Sequence, residues 1–235
     1  MPYIKVNDIR MYYEIHGEGE PLVLILGLGT DISEWGGIIN WLAERFQVLA
    51  FDNRGVGRSD KPDIAYTIEM MADDTAELMQ ALGIQQAHIV GISLGGRIAI
   101  GLSLRHAECV KKLVLVSTSA RIVRNWRRRF YGLLSGAPIF RSKYPQPRYA
   151  FKRQMQASSV FNYTDKLHAF HVPTLIMHGK KDKTVPYYLA EEMHSGIEDS
   201  KMLTFEGGHI FFLMRERQRF LDAIADFVAS RHNTF

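Results

Sequence analysis

AHIVGISLGGRIAIGLSLRH, residues 87–106, is the stretch on which the reading of this chain turns. Its first seven residues are almost wholly apolar, as in a strand covered on both faces. From Leu94 to His106 the apolar residues recur at helical spacing. At the junction stands Gly91-Ile92-Ser93-Leu94-Gly95, a G-x-S-x-G pattern. A strand that ends on a serine and becomes a helix at the next residue must turn sharply, and glycines on both sides give the backbone room to do so. The turn lifts the serine hydroxyl above the end of the sheet. The helix start behind it aims free N–H groups at a place where an anion can sit. The letters alone also fit a serine N-cap at a plain strand–helix junction. The buried strand before, the helix after and the extra Gly96 favour a nucleophile, Ser93.

Working outward, residues 3–7 and 10–16 alternate as a hairpin turning at Asn7-Asp8. Apolar runs at 21–27, 47–53, 110–119, 173–179 and 201–205 predict further strands. Helices are expected at 33–45, 67–82, about 187–195 and 215–231. Buried strands separated by helices define an α/β fold, a mainly parallel sheet with helices on both faces. Residues 121–168 break the rhythm with Pro138, Pro145, Pro147, several aromatics and many arginines, and are expected to be a short inserted lid. The core is then 1–120 together with 169–235.

A serine hydroxyl needs a base. His209, in Glu206-Gly207-Gly208-His209, follows the last predicted strand, and the carboxyl ends of parallel strands share one edge. His178 falls inside a strand, His106 and His194 on helices, and His16, His88, His168, His171 and His232 have no matching position. Asp182 lies in the loop after the strand at 173–179, on the same edge, and completes the chain order Ser, Asp, His. Glu206 is the reserve carboxylate, while Asp52 and Asp60 are read as braces of the turn at 52–55. An oxyanion would be held by backbone N–H groups. Leu94 supplies one and Leu28, in Gly27-Leu28-Gly29-Thr30, is the expected second donor.

The chain has 235 residues, 46% hydrophobic and 23% charged, which fits a single globular domain. No apolar run approaches the roughly 18 to 20 residues needed to cross a membrane. The opening MPYIKVNDIR lacks the apolar stretch of a secretory leader, and the single Cys109 allows no internal disulfide. A cytoplasmic setting is expected. The net charge of +4 has one source. Between Glu108 and Asp165 there are twelve basic residues and no acidic one. Arg124, Arg127 and Arg128 in the lid are the candidates to hold an anionic end of a substrate.

Nearly the whole chain resembles the α/β-hydrolase superfamily, and within it the 3-oxoadipate enol-lactone hydrolases and related carboxylesterases. The resemblance rests on residues 28–35 (LGTDISEW), 52–60 (DNRGVGRSD) and 91–96 (GISLGG), and continues through LVLVSTSARI at 113–122 and VPTLIMHGKKD at 172–182. It implies Ser93 as nucleophile, His209 as base, Asp182 as the acid member, and Leu28 and Leu94 as oxyanion donors. Serine at the nucleophile position separates the chain from the haloalkane dehalogenase and epoxide hydrolase branches, which carry aspartate there. The expected activity is hydrolysis of a carboxylic ester or lactone through an acyl-enzyme, with a small-molecule substrate and no metal or organic cofactor. Two other classes stay open: a receptor-like binder with weak turnover, and a binder of nucleic acid or membrane surface through the basic lid. Nucleic acid is not the expected partner.

Overall fold

A computed structural model describes residues 2–123, 143–213 and 216–230. Strands β1 (Tyr3–Val6) and β2 (Ile9–His16) form the N-terminal hairpin. There follow β3 (Pro21–Ile25), α1 (Gly36–Ala43), β4 (Gln47–Phe51), α2 (Ile68–Ala81), β5 (Ala87–Ile92), α3 (Leu94–Arg105) and β6 (Val110–Val116). After α4 (Arg148–Val160) the chain returns through β7 (Thr174–Gly179), α5 (Tyr188–Gly196), β8 (Ser200–Phe205) and α6 (Arg217–Ala229). The eight strands lie in the order β1-β2-β4-β3-β5-β6-β7-β8. Only the β1–β2 and β2–β4 pairs are antiparallel. The chain leaves β3 towards β4 and then crosses to β5 on the other side, so the order reverses beside Ser93, the place where such sheets bind ligands.

Both faces of the central strands β3 to β7 are buried, and alternation along them shows it. Val23 and Ile25 of β3, Leu113 and Leu115 of β6 and Ile176 of β7 pack with α2, α3 and α5. Leu22 and Leu24, Val114 and Val116, and Leu175 and Met177 pack on the opposite face with α1 and α6. Two-sided burial explains why the strands read as continuous apolar runs. Among the described residues no helix is long and apolar enough to cross a membrane.

The strands expected at 21–27 and 47–53 each end two residues early, at Ile25 and Phe51, and two further boundaries move for a local reason. The strand expected at 110–119 stops at Val116, because Ser117 turns into the left-handed region at φ 47. The first helix begins only at Gly36, after a short 3-10 turn at Ile32–Glu34 whose Ser33 N–H is capped by Asp31. Elsewhere side chains close the ends that the backbone leaves open. Thr67 Oγ1 accepts the Met70 N–H at the start of α2. Lys112, from inside β6, donates to Phe227 O and Val228 O at the end of α6.

The connection between β6 and β7 carries α4 across the carboxyl edge of the sheet. Its anchor is Gln154, fully buried. The Gln154 amide donates to Arg54 O at 2.8 Å, and its oxygen accepts from Gly29 N–H at 3.4 Å and Gln146 Nε2 at 3.1 Å. One side chain thus ties α4 to the loops after β3 and β4. The basic stretch is partly neutralised by the core. Arg153 pairs with Asp63 and Arg121 with Glu192.

Candidate active site

Ser93 sits between β5 and α3 with φ 55 and ψ −110, a conformation a non-glycine residue adopts at a cost of about 1–3 kcal/mol. The turn is tight enough that a Cβ on Gly95 would stand 2.0 Å from Ile25 O, which is why glycine follows two residues after the serine. Ser93 N–H donates to Val116 O at 2.9 Å, so the turn is fastened to the next strand.

His209 and Asp182 arrive on two neighbouring loops that are tied to each other. Lys180 N–H donates to Phe205 O at 2.7 Å and Lys181 N–H to Gly207 O at 3.0 Å. The result is an unbroken chain of three side chains: His209 Nε2 lies 3.0 Å from Ser93 Oγ, and His209 Nδ1 lies 2.7 Å from Asp182 Oδ2. The Asp182 side chain is fully buried, while that of His209 is 21% exposed, which leaves the imidazole open towards solvent.

Asp182 Oδ1 accepts from Thr184 N–H at 2.7 Å and Val185 N–H at 2.8 Å. Burial by itself would raise this carboxyl. Hydrogen bonds from His178 and His209 and from the Val185 N–H outweigh it and hold the group well below the usual carboxylate range. The ionised Asp182 accepts a hydrogen bond from His209 Nδ1–H, which keeps the ring proton on Nδ1 and leaves the Nε2 lone pair facing the Ser93 hydroxyl.

Leu94 is the first residue of α3, so its N–H has no intrahelical partner. The turn at 27–30 abuts Ser93, since a Cβ on Gly27 would be 3.6 Å from Ser93 Cβ. Within that turn the Gly29 N–H is taken by Gln154.

The structure therefore brings Ser93, Asp182 and His209 together, with Leu94 next in the chain and the 27–30 turn, which contains Leu28, against Ser93 through Gly27. Glu206 is drawn away to the surface by Lys180, 2.6 Å from it. Asp52 Oδ1 accepts from Ile32 N–H and Oδ2 from Arg58 N–H, and Asp60 accepts from Arg10 N–H. Arg124, Arg127 and Arg128 lie outside the described residues. One residue that the sequence reading set aside belongs to the site: His178 lies within β7, yet its Nε2 stands 3.4 Å from Asp182 Oδ2 and donates to Val185 O at 2.9 Å. Its spacing four residues before Asp182 was the available signal.

A family model of the α/β hydrolase fold matches residues 20–170. A putative carbamate hydrolase, RutD, from Azorhizobium caulinodans is 32% identical over 244 residues, spanning 90% of this chain and 92% of that protein. The AB hydrolase superfamily protein YisY of Bacillus subtilis is 29% identical over 263 residues, 96% of this chain and 98% of its own. Among solved structures, the enol-lactonase from Burkholderia xenovorans superposes with a TM-score of 0.84 at 25% identity, covering 97% of this chain and all of that one (100%). The chain belongs to the α/β-hydrolase fold family.

Proposed function

We propose that the protein is a serine hydrolase that cleaves a carboxylic ester or lactone through an acyl-enzyme. The observation that carries this reading is the continuous hydrogen-bonded chain from Ser93 Oγ through His209 to the buried Asp182, with the serine raised on a positive-φ turn. His209 Nε2 takes the hydroxyl proton as Ser93 Oγ attacks the carbonyl carbon. The tetrahedral oxyanion is received by the N–H groups of Leu28 and Leu94, donors of a kind worth about 10²–10³ in rate. Collapse breaks the bond to the alkoxy or enol oxygen, which leaves with the proton carried by His209. Water, deprotonated by the same imidazole, then attacks the acyl carbon and releases the acid with Ser93 restored.

The likeness to an enol-lactonase supports a lactone or ester, and the likeness to a putative carbamate hydrolase names the competing acyl class. In this reading residues 121–168 serve as the lid, and Arg124, Arg127 and Arg128 are its candidates to receive a substrate carboxylate. The test is a panel of p-nitrophenyl esters of graded chain length, simple lactones and an aryl carbamate, each run with Ser93→Ala as control. Ester or lactone turnover that disappears with Ser93→Ala is the expected result. Turnover of the carbamate alone would reassign the substrate, and undiminished turnover by Ser93→Ala would overturn the mechanism.

A further inference from the structure

Two consecutive hydroxyl residues follow β6, and each holds the main chain of one member of the proposed catalytic chain. Ser117 Oγ–H donates to His209 O at 2.8 Å, and Thr118 Oγ1–H donates to Ser93 O at 2.7 Å. Both residues are completely buried. The sheet order explains how neighbours in sequence reach residues 92 and 25 positions away: β6 lies between β5, which ends at Ser93, and β7, whose following loop is tied to the His209 loop through Lys181 N–H and Gly207 O.

Three further features show that this arrangement is built rather than incidental. Ser117 is held at φ 47, a strained setting for serine, while its N–H is fixed to Met177 O at 3.0 Å. Thr118 packs directly on α3, where a Cβ on Gly96 would stand 2.5 Å from Thr118 Cγ2, so the second glycine of Gly95-Gly96 makes room for this threonine. Ser93 O also accepts the Gly96 N–H at 3.1 Å, so the carbonyl that Thr118 holds is the one that opens the first turn of α3.

The peptide plane supplies the chemical meaning. Ser93 C=O and Leu94 N–H belong to one planar trans unit, in which the carbonyl and the N–H point in opposite directions. A hydroxyl that fixes Ser93 O therefore fixes the direction of Leu94 N–H. Resting on the serine-hydrolase reading above, we propose that Ser117 and Thr118 are positioning residues for acyl transfer. Thr118 aims Leu94 N–H at the developing oxyanion, and Ser117 holds the main chain of His209 so that its ring meets both Asp182 and Ser93.

The experiment compares Thr118→Val, which keeps the shape and removes the hydroxyl, with Thr118→Ser, which keeps the hydroxyl. Rates on p-nitrophenyl acetate are normalised to the sites that a fluorophosphonate labels, and phenylboronic acid serves as a tetrahedral mimic. Thr118→Val is expected to lower kcat about tenfold, less than outright loss of a donor. KM should stay within about twofold, and the boronate Ki should rise by about the same factor as kcat falls. Thr118→Ser should restore both. Ser117→Ala should lower kcat and move the acid limb of the kcat/KM profile to lower pH, because a looser His209 bonds less well to Asp182; Thr118→Val should leave that limb in place. Ser117→Gly, which suits the left-handed backbone, gives a folded variant lacking the hydroxyl and is expected to lose kcat equally. Wild-type kcat and boronate affinity per labelled site in Thr118→Val, or a Thr118→Ser variant as impaired as Thr118→Val, would overturn the role of Thr118. Wild-type kcat in Ser117→Gly would overturn that of Ser117. Turnover by Ser93→Ala, measured alongside, would instead overturn the serine mechanism.

Discussion

Asp182 Oδ2 faces two imidazoles, His209 Nδ1 at 2.7 Å and His178 Nε2 at 3.4 Å, with its other oxygen held by two backbone N–H groups. His178 also donates to Val185 O, so it holds the loop as well as the carboxylate. Replacing it with leucine leaves that carbonyl unpaired in the interior, at a cost of about 1–3 kcal/mol. His178→Leu is therefore expected to lower Tm clearly while cutting kcat/KM less than tenfold, since the stronger bond to His209 survives. Thermal melts beside ester kinetics check it, and a loss of activity as deep as that of Asp182→Asn would contradict it.

Ser93→Ala, His209→Ala and Asp182→Asn should each reduce kcat/KM by a factor on the order of 10³ or more, with the double variants little worse than the singles. Asp182→Asn carries a specific structural expectation. Its oxygen will stay on the Thr184 and Val185 N–H groups, which places the amide NH₂ against His209 Nδ1 and favours the wrong tautomer. Near-wild-type activity in Asp182→Asn would remove Asp182 from the mechanism.

Gln154 links α4 to the turn that carries Leu28. Gln154→Leu leaves Arg54 O and Gly29 N–H without their partner, at about 1–3 kcal/mol for each group that water does not reach. The variant should melt several degrees lower and lose kcat by a few fold, because the 27–30 turn loses its tether. Unchanged kcat in the folded variant would show that the turn holds its shape without α4.

Glu34 gives a pH signature that is independent of catalysis. Burial, with Asp31 and then Asp52 nearby, pushes its carboxyl up from 4.5 to about 7. The folded chain then binds more protons than the unfolded one between those values, so this group makes stability fall as pH rises through that window. Glu34→Gln should raise Tm at pH 8 and leave it nearly unchanged near pH 4.5. Equal Tm differences at both pH values would refute the assignment.

The sequence by itself determined the sheet and the edge on which Ser93, Asp182 and His209 meet. Two-sided burial wrote the strands as apolar runs, the tight turn required the glycines around Ser93, and the parallel sheet placed the loops of Asp182 and His209 on the same edge. These are local constraints, and each leaves its mark within a few residues. The rest depends on contacts between distant parts of the chain. Ser117 and Thr118 read as the tail of a strand, His178 as a strand interior, and Gln154 as one polar residue among many in a basic stretch. Only the tertiary structure decided that their polar groups meet His209, Ser93, Asp182 and Gly29, because a buried hydrogen bond is chosen by whatever carbonyl or N–H the fold brings within about 3 Å, and no periodicity records that choice.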